Sequence, residues 1–272
     1  MAREPKKRKA GAAGLACSIG SIDPTSAAGL TVDLAVYRAL GVAGVCVTTA
    51  VTAQNARRVI GVSPIAAVFV RRQLEAIWEQ SDPTAICIGL VPDSASLRTI
   101  RLFLRARAKL PAIVIDPVMT ATSGHAFVGA RELEELRKLL PLATLVTPNA
   151  YEASLLATRA VCDEAEAVEA ASTIARAGCA VLLTGGHLAG RRCTDILVRS
   201  GRVRRYSATR LRATLRGSGG ILAASIAACL AKGMALDPSI RRARTFVRRA
   251  FQSARSIGSG LPQYGASVKR LP

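Results

Sequence analysis

Short apolar runs alternate with segments of helical periodicity along nearly the whole chain, and this alternation predicts its elements. The apolar runs predict strands over Leu15–Gly20, Val45–Val51, Ala85–Leu90, Ala112–Ile115, Leu145–Val146 and Ala180–Leu183. Apolar residues spaced three and four positions apart predict helices over Ser26–Leu40, Pro64–Gln80, Gly219–Lys232 and Pro238–Ile257. Two further runs, 193–198 and 203–207, are joined around Ser200-Gly201 and predict a hairpin at the sheet edge. The pattern is typical of an α/β fold with a doubly wound, mainly parallel sheet flanked by helices.

The length and composition favour one large domain. Half of the 272 residues are apolar, which is enough for a core that needs neither disulfides nor metals to stabilise it. We expect this domain over residues 14–260, between a disordered basic tail over 1–13 and a C-terminal tail over 261–272. The basic tail contains Pro5-Lys6-Lys7-Arg8-Lys9, which is similar to a nuclear import signal, but we interpret it as a disordered segment.

The formal net charge of +20 comes mostly from arginines, which concentrate in residues 199–216 and 241–255. A basic face can bind the phosphate backbone of a nucleic acid, and this is one alternative for the function. We favour a solvated surface and expect no nucleic-acid partner, because aromatic residues that could stack on bases make up only 4% of the chain.

The remaining composition indicates a soluble, cytoplasmic protein without membrane contacts. No apolar run approaches the roughly 18 residues of a membrane span. The seven cysteines are scattered and form no CxxC pair, so we expect reduced core residues and not a zinc site.

Polar residues follow the predicted strands at the ends where an open parallel sheet binds ligands. Four segments do so: Thr52-Ala53-Gln54-Asn55, Asp116-Pro117-Val118-Met119, Thr147-Pro148-Asn149 with Glu152 three residues further on, and Thr184-Gly185-Gly186-His187. Each segment alone is ordinary turn chemistry. Their joint placement at successive strand ends favours a binding site.

The segment Arg216-Gly217-Ser218-Gly219-Gly220 opens the helical segment 221–230. Glycines at a helix N-terminus let exposed backbone N–H groups approach an anion, to which the helix dipole adds partial positive charge. Such a loop can stabilise a phosphoryl group during its transfer. It is not a Walker A loop, because no Lys-Ser or Lys-Thr pair follows the glycines. A flexible helix cap is the alternative.

The order of these motifs resembles the hydroxymethylpyrimidine and phosphomethylpyrimidine kinases, which are ribokinase-like enzymes of thiamine biosynthesis. Residues 23–30 with Asp33-Leu34 are similar to the family's opening DPSGGAGIxADL, and VTTAVTAQN over 47–55 is similar to its VITALTAQN. The further matching segments are Ile88-Gly89-Leu90, Asp116-Pro117-Val118-Met119, Ser123-Gly124, LPLATLVTPN over 140–149 with Glu152, Gly185-Gly186-His187 and Gly217-Ser218-Gly219. The resemblance covers roughly residues 14–260.

The resemblance implies a three-layer sandwich that transfers the γ-phosphoryl group of ATP to the hydroxymethyl group of an aminopyrimidine, and then to the resulting monophosphate. It implies ATP and Mg²⁺ as cofactors and suggests a homodimer. By position, Gln54 would hydrogen-bond the pyrimidine edge, and the other substrate-binding residues would be Asp33, Ala28, Leu90 and Val118. The nucleotide-binding residues would be Asp116, Asn149, Glu152, Thr184 and Gly186, of which Asp116 and Glu152 would bind Mg²⁺ through water. Gly217, Ser218, Gly219 and Gly220 would form the catalytic anion hole.

Four residues in three segments depart from the family pattern at the expected reaction centre. Thr184 stands where the family has a lysine before Gly-Gly-His, and Gly220 stands where it has a cysteine that serves as the base. The family's glycine pair after Asp-Pro-Ser is replaced by Ser26-Ala27. Loss of a general base can lower a rate by roughly 10²–10⁴-fold, while positioning and phosphate stabilisation would remain.

Two alternatives to the pyrimidine kinase stay within this fold. One is a homologue that binds a pyrimidine without efficient phosphoryl transfer. The other is a kinase of a related alcohol, such as a pyridoxal-type substrate, against which Gln54 and the match around it argue.

Overall fold

The computed structural model describes residues 14–187, 191–211, 213–256 and 262–264. The predicted basic tail and most of the predicted C-terminal tail lie outside the described residues, so the domain limits stay a prediction. The three residues 262–264 pack onto the domain, since Gln263 pairs with Arg255 and the carbonyl of Pro262 accepts a hydrogen bond from the Arg216 N–H at 3.0 Å.

Nine strands in the described part of the chain form a single sheet, in the order β3-β2-β1-β4-β5-β6-β7-β8-β9. They are β1 (Leu15–Ile22), β2 (Ala43–Gln54), β3 (Val59–Pro64), β4 (Ala85–Ile88), β5 (Ala112–Ile115), β6 (Leu145–Val146), β7 (Ala180–Leu183), β8 (Arg192–Arg199) and β9 (Arg202–Thr209). The six strands from β2 to β7 in this order are parallel, whereas β3, β8 and β9 run antiparallel to their neighbours. The predicted doubly wound, mainly parallel sheet is confirmed.

The helices cover both faces of the sheet. They are α1 (Gly29–Ala39), α2 (Ala67–Gln80), α3 (Ser94–Arg105), α4 (Ala130–Leu139), α5 (Ala150–Ala157), α6 (Glu164–Ala175), α7 (Ser218–Ala231) and α8 (Leu236–Gln252), with short 3₁₀ turns at Leu140–Leu142 and Gly185–His187. One core lies between the sheet and α2 to α6, and a second lies between the sheet and α1, α7 and α8. Successive residues of β5 alternate between the two cores, because strand side chains point to opposite faces: Ile113 and Ile115 face one, and Val114 faces the other.

The chain leaves β1 towards β2 and β3 on one side, and it returns to place β4 on the other side of β1. The connections diverge at this switch point, and the resulting crevice at the carboxyl ends of the strands is where open α/β sheets bind ligands.

Most differences from the sequence prediction occur where glycine, proline or serine interrupts the pattern. Strand β3 was not predicted, and its last residue, Pro64, was assigned to the following helix, which begins only at Ala67. The predicted helix from Ser26 begins at Gly29, because Ser26 has a left-handed φ of 54°. The edge hairpin is confirmed, and its turn residues Ser200 and Gly201 have the φ values of 48° and 73° that suit a type I′ turn.

Cysteine burial follows the prediction with one clear exception. All seven cysteines are free thiols, and Cys17, Cys87, Cys179 and Cys229 are buried. Cys162 is exposed, so its prediction as a core residue is wrong. The described residues also contain no helix that is both long and apolar enough to cross a bilayer.

Replacing Leu104 by alanine tests the core between the sheet and α3. Leu104 is fully buried, so Leu104→Ala should lower the free energy of unfolding by about 2–5 kcal/mol through lost burial and the cavity left behind. Leu102→Ala on the same helix is the matched control, because Leu102 is 51% exposed and should cost under about 0.5 kcal/mol. Urea unfolding, followed by the fluorescence of the single tryptophan, Trp78, measures the free energy of unfolding of both variants. Equal losses of this free energy in the two variants would contradict the described packing.

Candidate active site

The loop that opens α7 packs against the strand ends, and glycines make this approach possible. Gly217 has a φ of 75°, and a Cβ atom there would lie 2.2 Å from the carbonyl oxygen of Ala27. Any other residue at Gly217 would therefore collide with the loop between β1 and α1. Cβ atoms at Gly219 and Gly220 would lie 3.9 and 3.8 Å from a carboxylate oxygen of Asp116. The predicted anion-hole loop thus meets the ends of both β1 and β5.

Three carboxyl groups are buried beside this loop. The pKa of Asp33 is raised to about 7, mainly because the carboxyl group is buried. A hydrogen bond with the Ser18 side chain lowers this pKa, and the negative charge of Asp116 raises it further. Burial also raises the pKa values of Asp116 and Glu152, and the negative charge of Asp116 raises that of Glu152 further. Ionised Asp116 therefore disfavours ionisation of Asp33 and Glu152, and a bound cation would relieve this repulsion.

A capping box fixes Glu152 in this cluster. The Glu152 carboxylate accepts a hydrogen bond from the Asn149 N–H at 2.9 Å, and the Asn149 side-chain oxygen accepts one from the Glu152 N–H at 2.9 Å. These reciprocal bonds satisfy two backbone donors at the start of α5. Asn149 therefore positions Glu152.

The donor set of the cluster fits Mg²⁺. Asp116 and Glu152 offer hard oxygen ligands, and Mg²⁺ is typically bound by one or two carboxylates together with water and substrate phosphates. The described residues contain no group of three acidic, histidine or cysteine side chains that could hold a metal ion by themselves. An ion at this position would therefore need phosphate oxygens and water to complete its coordination.

Gln54, the last residue of β2, is held by Arg216. The Arg216 guanidinium donates hydrogen bonds to Gln54 Oε1 at 3.0 Å and to Thr25 Oγ1 at 3.3 Å. Since arginine has no acceptor, the amide oxygen of Gln54 must face Arg216, which leaves its NH₂ group available to donate.

Asp23 anchors the same guanidinium by charge. Its Oδ1 accepts hydrogen bonds from the N–H and the hydroxyl of Thr25, at 2.9 and 2.8 Å. Its Oδ2 lies 3.4 Å from an Arg216 nitrogen, which is within ion-pair distance, yet it accepts no hydrogen bond in the described structure although it is buried. Only 1% of the Asp23 side chain and 10% of the Arg216 side chain are exposed.

The predicted nucleotide side lies at the end of β7. Thr184 is joined to Asn149 by an isolated parallel bridge and donates its N–H to the carbonyl of Pro148 at 2.8 Å. The carbonyl of Gly186 accepts a hydrogen bond from Arg210 at 2.6 Å, and the N–H of Gly185 donates to Asp195 at 2.8 Å. Arg210 thus brings a cation to this segment, which the resemblance expects to contain a lysine at the position of Thr184.

Three predicted substrate-binding residues lie in the segments that follow β1, β4 and β5. Ala28 is the N-cap residue of α1, and its Cα would lie 3.4 Å from a Cβ at Gly217. Leu90 is buried, and its carbonyl accepts a hydrogen bond from Thr49 at 2.7 Å. Val118 lines a small pocket with Leu97 and Leu136, on the side of α3 and α4. Contact between Val118 and the substrate therefore stays a prediction.

Arg216, Asp23 and Thr25 were not predicted as site residues, although the motifs quoted above contain all three. Arg216 was counted among the arginines of a solvated surface, and for this residue that interpretation is wrong, because its side chain is nearly buried. Its position directly before the glycine loop was the available signal.

The backbone at Ser26 is strained. Ser26 has a φ of 54°, in the left-handed region where a residue with a Cβ is disfavoured by roughly 1 kcal/mol relative to glycine. A glycine, which the resemblance expects at this position, would not have this cost.

Comparison with known proteins shows the family to which the chain belongs. A profile of the family described as phosphomethylpyrimidine kinase matches residues 23–264. The hydroxymethylpyrimidine/phosphomethylpyrimidine kinase of Rhizobium meliloti is 39% identical over 250 residues, covering 90% of this chain and 93% of the relative.

Two solved structures are similar over most of the chain. The crystal structure of phosphomethylpyrimidine kinase from Clostridium difficile has a TM-score of 0.77 and 29% identity, covering 87% of this chain and 98% of that one. The ADP complex of Bacillus subtilis pyridoxal kinase has a TM-score of 0.85 and 26% identity, covering 96% and 100%. The predicted fold and the family resemblance are confirmed.

The raised carboxyl pKa values predict how stability depends on pH. In the unfolded state, aspartate and glutamate lose their protons near the ordinary pKa values of 3.8 and 4.5. In the folded state, Asp33, Asp116 and Glu152 keep their protons to higher pH. The free energy of unfolding should therefore fall as pH rises from about 4 to about 7, by at most about 1.4 kcal/mol per pH unit for each proton held.

Asp116→Asn removes one of these carboxyl groups and should make the fall shallower. Asp82→Asn, which removes an exposed carboxylate, is the control and should leave the slope unchanged. Urea unfolding of the ligand-free protein at several pH values measures the slope, and identical slopes for wild type and Asp116→Asn would contradict the assignment.

Proposed function

This chain belongs to the phosphomethylpyrimidine kinase family, and we propose that it transfers the γ-phosphoryl group of ATP to 4-amino-5-hydroxymethyl-2-methylpyrimidine and to its monophosphate. The single observation that carries the proposal is the α7 loop, whose glycines lie against Asp116 while the adjacent Arg216 contacts Gln54. The groups that would bind phosphate thereby lie near the group that would recognise the pyrimidine. The ADP complex of the pyridoxal kinase supports an adenine nucleotide as the phosphoryl donor.

The residues divide the reaction between them. The amide hydrogen of Gln54 donates to a ring nitrogen and orients the pyrimidine. The backbone N–H groups of residues 217–220 hold the oxygens of the transferring phosphoryl group and stabilise the charge that develops there. A magnesium ion held by Asp116 and Glu152, directly or through water, would neutralise negative charge on the phosphates.

Phosphorylation of the alcohol forms a bond between the hydroxymethyl oxygen and phosphorus and breaks the bond to the leaving ADP oxygen. The hydroxyl proton must leave as well, and Gly220 has no side chain to accept it. Water is the acceptor in this account. We therefore expect catalysis of the alcohol reaction by positioning and charge stabilisation, at a rate below that of an enzyme with a base.

An assay with purified protein, MgATP and the hydroxymethylpyrimidine tests the function directly. Gln54→Ala should lower kcat/KM by about 10- to 100-fold, because it removes a hydrogen bond that orients the acceptor. Gln80→Ala, at an exposed glutamine that ends α2, is the matched control and should match wild type. Pyridoxal is the competing acceptor, and turnover of pyridoxal alone would assign the chain to that substrate class.

Gly220→Cys tests whether a missing base limits the alcohol reaction. A Cβ at Gly220 would lie 3.8 Å from Asp116, an ordinary van der Waals distance, so the site accommodates the side chain. The thiol should raise kcat for the hydroxymethylpyrimidine by about 10²-fold. Gly220→Ala adds the Cβ without a proton acceptor and should give no such rise. Equal kcat values for the two variants would show that the base is not limiting.

A further inference from the structure

Arg216 places a nearly buried guanidinium in the acceptor half of the proposed site. It precedes the anion-hole loop by one residue, and it reaches the loop after β1 through Thr25 and the end of β2 through Gln54. The ion pair with Asp23 holds it there, while Asp23 Oδ2 accepts no hydrogen bond within the described residues.

The guanidinium keeps donors for a ligand. Arginine has five N–H donors in a planar fork; Thr25 and Gln54 use two, and Asp23 Oδ2 lies 3.4 Å from an Arg216 nitrogen, so two donors remain even if Asp23 takes a third. The fork matches the oxygens of a phosphate, with which arginine forms paired, charge-assisted hydrogen bonds. A neutral alcohol offers no second oxygen and no charge for these donors.

The two acceptors of the proposed function differ in what they require. An alcohol must lose a proton when its oxygen attacks phosphorus. A phosphomonoester carries about −1.5 to −2 charges at pH 7 and offers an oxygen that is already ionised. It needs no base, but its charge must be stabilised next to the phosphates of the nucleotide.

This chain lacks the general base that an alcohol acceptor needs, and it has a cation that can stabilise the charge of a phosphomonoester acceptor. Gly220 offers no base, and Arg216 offers a cation beside Gln54. We propose that the preferred acceptor of this enzyme is the phosphorylated pyrimidine, and that Arg216 is the specificity-determining residue that binds its phosphate. The inference rests on the proposed function and names the acceptor class of the same site.

In the preferred reaction, an acceptor phosphate oxygen forms the new bond to the γ-phosphorus of ATP as the bond to the ADP oxygen breaks. The products are the pyrimidine diphosphate ester and ADP, and no proton has to be removed from the acceptor. Arg216 stabilises the acceptor charge before and after transfer, so its effect should appear mainly in KM.

A crossed design with two acceptors and two variants tests the inference. Wild type should show a kcat/KM at least about 10-fold higher for the monophosphate than for the hydroxymethylpyrimidine. Arg216→Gln should release Gln54 and so raise KM for both acceptors, but the rise for the monophosphate should exceed that for the alcohol by about 10- to 100-fold. Gly220→Cys should raise kcat for the alcohol alone.

Two controls separate this role from structural and nucleotide-binding roles. Arg57→Gln removes an exposed arginine near Gln54 in sequence and should leave both KM values unchanged. Arg216→Lys keeps the positive charge but loses the planar fork of donors. Its KM for the monophosphate should therefore lie between those of wild type and Arg216→Gln. The Kd of AMP-PCP should be the same in wild type and Arg216→Gln.

Three results would overturn the inference. They are a higher kcat/KM of wild type for the alcohol, an equal rise in KM for both acceptors in Arg216→Gln, or an effect of Arg216→Gln on the Kd of AMP-PCP alone. Absence of turnover with either acceptor would reject the proposed function instead. Calorimetry with the monophosphate then decides the role of Arg216 alone. Weaker binding to Arg216→Gln than to wild type supports the assignment, whereas equal Kd values or no binding to either protein overturn it.

Discussion

The site depends on the close approach of the α7 N-terminus to the ends of β1 and β5. At Gly217 the backbone of the loop leaves no room for a Cβ against the carbonyl of Ala27, and at Gly219 and Gly220 it faces the Asp116 carboxylate. This approach places the start of α7 beside Asp116, with Arg216 directly before it in the chain. The crevice lies at the switch point of the sheet, where the connections from β1 diverge and leave the strand ends accessible.

The site holds both kinds of charge. Burial raises the pKa values of Asp33, Asp116 and Glu152, and the charge of Asp116 raises those of Asp33 and Glu152 further. Arg216 is paired with Asp23, whose Oδ2 is buried and accepts no hydrogen bond within the described residues. Such an arrangement is unfavourable for the empty protein and suits a site that receives a divalent cation together with several phosphates.

Much of the fold could be predicted because buried parallel strands form short apolar runs, as in Ala112–Ile115 and Ala180–Leu183, whose bounds match the structure. Strand β3 could not be predicted, because Gly61 and Pro64 interrupt its pattern and its pairing with β2 is a tertiary interaction. The carboxylates and the glycine loop were predictable from motifs that follow the strands. Arg216 was not predicted, because its one local signal, the position directly before the glycine loop, was outweighed by the many other arginines of a chain with a net charge of +20.

The central claim is that one crevice holds the acceptor pyrimidine and the terminal phosphate of the nucleotide together. A crystal structure of the protein with AMP-PCP and the pyrimidine tests this most directly. The account predicts the terminal phosphate on the N–H groups of residues 217–220 and the pyrimidine ring against Gln54, on opposite sides of a single reaction path. A nucleotide phosphate bound away from this loop, or a pyrimidine that does not contact Gln54, would contradict it.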